Sequence, residues 1–118
     1  MKMRSFEDLI VWQKGHEFVL EIYKTSRCWP VEEKFGLINQ IRRCSSSICA
    51  NIVEGYSRTG KEFLRYLNIS RGSLEESKYF LMLSRDLNYI DNEKFENLFN
   101  KAERIGKLIQ GLSKSIKI

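Results

Sequence analysis

The stretch from Cys44 to Val53 reads CSSSICANIV and carries no charge, in a chain where 30% of residues are charged. Its apolar residues recur at helical spacing, and the residues between them are small and neutral. A helix with one side in solvent normally carries charge on that side, so we predict a helix that packs against more than one neighbour. Small side chains let helix backbones approach closely. The stretch therefore indicates a helical bundle with tight contacts around its second helix.

The composition is that of one helical globular domain. The chain has 118 residues, of which 42% are hydrophobic, and a single proline. A chain of this length buries roughly two thirds of its unfolded surface, so we predict one domain over residues 1–118. The apolar segment from Leu9 to Trp12 is too short for a signal sequence or a membrane span. We therefore expect a cytoplasmic protein with no membrane partner.

Four amphipathic helices are predicted, separated by short connections. Their predicted bounds are roughly 7–27, 32–55, 60–88 and 92–115, with breaks at Trp29-Pro30, Ser57–Gly60 and Asn88–Asn92. Short connections place consecutive helices side by side in opposite directions. We predict an all-α fold, an antiparallel up-down-up-down left-handed four-helix bundle.

One stripe of each helix is expected to face the core. The third helix has the most regular stripe, in which large and small residues alternate along a heptad pattern. The predicted core positions are Leu9, Trp12, His16, Val19 and Tyr23 in the first helix, Ile38, Ile41, Ser45, Ile48 and Ile52 in the second, Phe63, Leu67, Ser70, Leu74, Ser77, Leu81 and Ser84 in the third, and Phe95, Leu98, Ala102, Ile105, Ile109, Leu112 and Ile116 in the fourth.

Several apolar residues fall outside these stripes or widen them. They are Val11, Phe18, Ile69, Tyr79, Met82 and Leu83. Scattered apolar residues are normal on the surface of a monomer. Together with the uncharged second helix, however, this set favours a homo-oligomer in which a second chain covers these residues. A monomer that exposes them is the alternative.

No motif in the sequence identifies a reaction. The single histidine, His16, lies in the predicted stripe of the first helix, and we interpret it as a core residue. Cys28, Cys44 and Cys49 form no C-x-x-C pair, so we expect three reduced, buried thiols. The sequence has no zinc-ligand spacing, no Glu-x-x-His pair and no phosphate-binding loop of the G-x-x-x-x-G-K-[ST] type. We therefore expect a protein that is not an enzyme and holds no metal or cofactor.

The end of the second helix contains a group of polar residues. Asn51 and Glu54 are three residues apart, and Arg58 follows in the next turn. This spacing predicts a hydrogen-bonded latch that fastens the helix end. A ligand contact by Asn51 and Glu54 is the alternative.

The net charge is +5, and the excess lies in one part of the chain. Seven bases and two acids fall between Lys34 and Arg71, whereas the rest of the chain has 13 of each. Clustered bases attract phosphates through a salt-sensitive term that is independent of sequence. The predicted RNA- or DNA-binding residues are Arg42, Arg43, Arg58, Lys61, Arg65 and Arg71. In the alternative, the bases only solubilise a protein-protein interaction scaffold that does not bind nucleic acid.

Several short motifs occur together along nearly the whole chain. They are Phe6–Gln13, Phe35–Leu37, Gln40–Arg43, Ser47-Ile48, Ala50–Ile52, Glu54-Gly55 with Arg58, Glu62-Phe63, Arg65–Leu67 and Gly72–Glu75. In this combination the chain resembles the four-helix bundle proteins first noticed as reading frames in intervening sequences of 23S ribosomal RNA genes. The resemblance implies a bacterial cytoplasmic protein whose relatives form homopentamers. A related branch, the accessory variability proteins of diversity-generating retroelements, looks like a basic pentamer that binds reverse transcriptase and nucleic acid. The implied partners are therefore further copies of this chain, RNA or DNA, and a nucleic-acid-processing protein.

Overall fold

The computed structural model describes residues 5–118, which form four α-helices and two short 3-10 turns. The helices are α1 (Ile10–Ser26), α2 (Leu37–Tyr56), α3 (Gly60–Asp86) and α4 (Asn92–Ser115). The described residues contain no β-strand, and the predicted all-α four-helix fold is confirmed. Within the same residues, no helix is both long and apolar enough to cross a membrane.

Two helices begin later than predicted. The segment predicted as helix from residue 7 starts with the 3-10 turn Phe6–Asp8, and extended backbone at Leu9 separates this turn from α1. The segment predicted from residue 32 starts with the 3-10 turn Val31–Glu33. Gly36, with φ of -108° and ψ of -113°, then interrupts the chain before α2. In both places a 3-10 turn precedes the helix, which the hydrophobic spacing alone does not reveal.

The bounds of the last two helices agree with the prediction to within two residues. α4 covers the predicted residues 92–115, and the Asp91 side chain accepts a hydrogen bond from the Lys94 backbone N–H at its start. α3 ends at Asp86, two residues before the predicted end. Asn88 adopts a left-handed conformation with φ of 64°, which ends a helix.

The four helices form a closed ring of neighbours: α1 packs on α2, α2 on α3, α3 on α4, and α4 on α1. Between α2 and α3, the Ser70 hydroxyl bonds the Ile48 carbonyl, and Ser77 bonds Cys44. Residue numbers thus rise along one helix as they fall along the other, which is the order of an antiparallel pair. The contacts of α2 with α1, and of α4 with α3, follow the same order. The left-handed twist stays a prediction.

The predicted stripes of α2, α3 and α4 form most of the core. In α3 every heptad position from Leu67 to Ser84 is buried, and in α4 every predicted position from Phe95 to Ile109 is buried. The predicted residues that are only partly buried lie at the ends of the stripes: Ile38, Phe63, Leu112 and Ile116. The spacing of these three helices therefore predicted their buried faces correctly.

The predicted stripe of α1 is rotated from the real one. His16 and Tyr23 are exposed, and Trp12 is only partly buried, whereas Val11 and Phe18 are 4% and 0% exposed. The predicted residues recur at spacings of three and four, and so do the buried ones, so periodicity alone does not choose between the two sets. The buried series is Val11, Gly15, Phe18, Ile22 and Ser26. Val11 and Phe18 belong to the core of the single chain. The prediction that a second chain covers them is wrong.

The uncharged stretch of α2 packs against two neighbouring helices, as its composition predicted. On the side of α3, Ser70 bonds Ile48 and Ser77 bonds Cys44, and a methyl group added to Gly55, two residues beyond the stretch, would lie 2.8 Å from Tyr66 Cβ. On the side of α1, a methyl group added to Gly15 would lie 2.9 Å from Cys49 Sγ. Both distances are shorter than ordinary van der Waals contact. The small residues therefore permit an approach of the backbones that larger side chains would prevent.

Candidate nucleic-acid interface

Arg42 is held against the C-terminal end of α1. Its Nε donates to Ser26 Oγ over 2.9 Å, and its Nη2 donates to the Tyr23 carbonyl over 3.2 Å. The guanidinium also lies 4.6 Å from the centre of the Tyr23 ring. A positive charge is favourable at this end of a helix. We therefore assign Arg42 a structural role in joining α1 to α2, and its predicted phosphate contact stays a prediction.

Arg58 and Arg65 form ion pairs within the chain. Arg58 Nη1 lies 2.9 Å from Glu54 Oε2, and Arg65 Nε lies 3.0 Å from Glu62 Oε2. The hydrogen bond and the charge of Arg65 hold the pKa of the Glu62 carboxyl below its usual value. Both guanidiniums also lie within 4.7 Å of the Tyr66 ring centre. Each pair has no net charge, so these two arginines contribute little to a long-range positive field.

The latch at the end of α2 forms without Asn51. Glu54 bonds Arg58 as predicted, but Asn51 Nδ2 donates to the carbonyl and the hydroxyl of Ser47, over 2.8 Å and 2.9 Å. Ser73 of α3 donates to the same Ser47 hydroxyl over 3.0 Å. A side-chain amide in a helix can bond the backbone carbonyl four residues earlier, as Asn51 does with Ser47. Asn51 therefore belongs to a polar cluster that joins α2 to α3.

Arg43, Lys61 and Arg71 remain as exposed bases of the predicted set. Within residues 5–118, none of these three side chains has an ion pair or a hydrogen-bond partner. Lys61 and Arg71 are ten residues apart on α3, which is about 15 Å along the helix axis. Arg43 lines a polar cleft of about 220 Å³ between α2 and α3, together with Gln40, Cys44, Ser47, Ser73 and Glu76. These three bases are the part of the predicted surface that is free to meet a phosphate.

Two residues whose side chains could take part in chemistry, His16 and Cys28, were predicted to be buried but are exposed. His16 stacks on Trp12 with ring centres 4.9 Å apart, and Cys28 lies in the connection after α1. Cys44 and Cys49 are buried as predicted. Burial raises the pKa of the Cys49 thiol to about 12 and moves that of Cys44 in the same direction. Both thiols stay protonated at neutral pH and are poor nucleophiles.

The predicted oligomer interface is only partly available in the single chain. Ile69, Tyr79 and Met82 are 41%, 55% and 40% exposed, whereas Leu83 packs partly buried against the core of its own chain. A contact between chains through the exposed three stays a prediction. Phe35, which was predicted to lie within the second helix, instead lies in the connection before α2 and is 86% exposed.

Metal ligands are not gathered anywhere in the described chain. Among residues 5–118, no group of three or more histidines, cysteines, aspartates or glutamates is placed to hold a metal ion.

The fold and its surface define a class of protein, a small four-helix bundle whose second and third helices expose unpaired bases. The family model for the 23S rRNA-intervening sequence protein matches residues 7–111. The chain belongs to the 23S rRNA-intervening sequence protein family. A crystal structure of a protein of unknown function from the S23 ribosomal protein family of Bacteroides thetaiotaomicron is similar to it, with 31% sequence identity and a TM-score of 0.82. The match covers 90% of this chain and 96% of that one. Among curated proteins, none matches this chain.

Proposed function

We propose that the chain is a non-enzymatic adaptor that binds RNA or DNA in the cytoplasm as a homo-oligomer. The observation that carries the proposal is the exposure of Arg43, Lys61 and Arg71 on neighbouring helices, without a carboxylate partner within residues 5–118. Such side chains bind the backbone phosphates of nucleic acid and release the counterions that are condensed on it, whatever the base sequence. The exposed pair of Arg58 and Glu54 is worth at most about 1 kcal/mol, so a phosphate can replace the carboxylate there.

The proposed oligomer is a pentamer. The resemblance to a family with pentameric members supports this number, and Ile69, Tyr79 and Met82 supply exposed apolar area for a contact between chains. Five chains with a net charge of +5 each would carry +25 together, which strengthens the attraction for a polyanion. Light scattering coupled to size exclusion tests the number. We expect five times the chain mass of 14.0 kDa, and a particle of 14.0 kDa would overturn the oligomer.

The nucleic-acid surface is tested with a triple variant, Arg43→Gln with Lys61→Gln and Arg71→Gln. Fluorescence anisotropy with labelled single-stranded RNA and duplex DNA measures the affinity over a salt series. We expect the triple variant to bind about tenfold more weakly than the wild type. The slope of the logarithm of its affinity against the logarithm of the salt concentration should be shallower by about 1 for each phosphate that it no longer binds.

The matched control removes the same charge elsewhere, through Arg27→Gln at the end of α1 with Lys107→Gln and Lys114→Gln on α4. These three bases are exposed, and their side chains have no ion pair or hydrogen-bond partner among residues 5–118. An equal loss of affinity in both triple variants would show that only net charge matters. That result, or no binding by the wild type at low salt, would overturn the proposed surface.

A protein-protein interaction scaffold is the second candidate. The ion pairs of Arg58 and Arg65 within the chain favour it, and so does the exposed aromatic ring of Phe35. The implied partner is a nucleic-acid-processing protein. In that case capture of the partner persists after nuclease treatment and is unchanged by Arg43→Glu. Loss of capture in both conditions would favour the nucleic-acid proposal instead.

A further inference from the structure

A groove of mixed charge lies across the bundle from the first surface, between α1 and α4. Three adjoining clefts form this groove, and Lys101 lines all of them. The residues of opposite charge are unevenly spread along it. One cleft, of about 230 Å³, is lined by Lys14, Glu17, Lys101 and Arg104, so three bases face one carboxylate. At the other end, Asp91 and Glu93 make the groove acidic.

The bases of this cleft are weakly engaged within the chain. Lys14 lies 3.6 Å from Glu17, and Lys101 lies 3.6 Å from Glu21. Glu21 has a closer partner in Lys94, at 3.3 Å, so it does not depend on Lys101. Arg104 has no ion pair or hydrogen bond with the rest of residues 5–118. Exposed pairs of this kind contribute about 0–1 kcal/mol, so these bases are available to a stronger anion.

The size and walls of the cleft indicate which anion it suits. Its lining is mostly aliphatic carbon, from the stems of long side chains whose charged ends reach solvent. Its volume of about 230 Å³ is below the roughly 300–1,000 Å³ of pockets that enclose a small-molecule ligand. It is also continuous with a groove. The charged ends of Lys14, Lys101 and Arg104 suit a phosphate, and the carbon walls suit its attached sugar, as part of a longer chain rather than a free metabolite.

We propose that the cleft of Lys14, Lys101 and Arg104 binds a backbone phosphate of nucleic acid, as a second contact surface of each chain. This inference rests on the proposed function and deepens it, because it adds the α1–α4 groove to the α2–α3 surface. The sequence alone does not show it. Lys14 is far from Lys101 and Arg104 in the chain, and all three lie in the part where bases and acids are equal in number.

The groove is tested with the pair Lys101→Gln and Arg104→Gln in the full chain. The matched control is Lys107→Gln with Lys114→Gln, on the same helix and outside the three clefts. The probe is a labelled single-stranded RNA, and the affinity is measured by anisotropy from about 50 to about 200 mM salt. We expect the groove pair to bind roughly tenfold more weakly, with a salt slope shallower by about 1 for each phosphate that it no longer binds, and the control pair to stay near the wild type.

The outcomes separate this inference from the function on which it rests. If the groove pair binds like the wild type while the α2–α3 triple variant binds weakly, the groove proposal is overturned and the first surface stands. Equal losses of affinity in the groove and control pairs also overturn it, because net charge then explains both. No binding by the wild type at low salt overturns both proposals. Molar mass and thermal unfolding show whether the double variant is folded. If it is not, the single variant Arg104→Gln is measured in its place, because it breaks no ion pair or hydrogen bond within residues 5–118.

Discussion

Arg42 and Arg43 are adjacent in the sequence, but we expect their replacement to have opposite consequences. Arg42→Ala removes two hydrogen bonds to α1 and a contact with the Tyr23 ring. One of the two acceptors is the hydroxyl of Ser26, which is fully buried. Arg43→Ala removes an exposed side chain that has no ion pair or hydrogen bond with the other described residues.

The cost of Arg42→Ala follows from these three contacts. A charged hydrogen bond to a buried group contributes about 1.5 kcal/mol, and the more exposed second bond about 0.5 kcal/mol. The contact with the Tyr23 ring adds about 0.5–1 kcal/mol. We therefore expect the free energy of unfolding to fall by about 2.5–3 kcal/mol. For a chain of this length, the Tm then falls by about 10–12 °C. Arg43→Ala should change the free energy by less than about 0.5 kcal/mol.

Urea unfolding followed by circular dichroism measures both variants, at one fixed protein concentration because an oligomer gains stability with concentration. Arg42→Lys is the conservative control. It keeps the charge near the helix end but cannot make the planar contacts, so its stability should be intermediate. In the RNA-binding assay the order reverses, and Arg43→Ala weakens binding more than Arg42→Lys does. Wild-type stability of Arg42→Ala, or an equal cost for Arg43→Ala, would refute the structural role of Arg42.

Three further predictions concern packing, pH and thiol reactivity. Gly55→Ala should destabilise the fold by about 1–2 kcal/mol because its methyl group meets Tyr66 at 2.8 Å, whereas Gly72→Ala, with nothing within 4 Å, should be neutral or stabilising by up to about 1 kcal/mol in urea unfolding. The hydrogen bond from Lys94 lowers the pKa of the Glu21 carboxyl in the folded chain. The ionised carboxylate therefore stabilises the fold above the unfolded pKa of Glu21, and this stabilisation disappears as the pH falls through the folded pKa. Glu21→Gln should be less stable than the wild type at pH 7 and equally stable in acid. With a thiol reagent at pH 8, the native chain should react rapidly at Cys28 alone and at all three cysteines once unfolded, and rapid native labelling of a second cysteine would contradict the burial of the other two.

The fold was predictable wherever one stripe of apolar residues is unambiguous. The alternation of leucine and serine from Leu67 to Ser84 admits only one buried face, and the structure buries it. In α1, two overlapping stripes have the same spacing. The choice between His16 and Phe18 therefore depends on how α1 sits against its neighbours, which a single helix does not specify.

The candidate site was less predictable because charge in the sequence does not reveal its partners. Arg42, Arg58 and Arg65 were identified correctly as part of a basic segment, but each contacts another part of the same chain. The reverse occurs at the α1–α4 groove, where Lys14 and Arg104 lie in segments that are neutral overall. Their proximity is a consequence of helix packing, so only the structure brings it out.

The most direct test of the central claim measures the affinity of the wild-type chain for RNA and duplex DNA of several sequences, from about 50 to about 200 mM salt. We expect binding at low salt that weakens linearly in a plot of the logarithm of the affinity against the logarithm of the salt concentration. The slope should be similar for all sequences, because the bound groups are phosphates. No binding at about 50 mM salt, or an affinity that does not change with salt, would contradict nucleic-acid binding by these exposed bases.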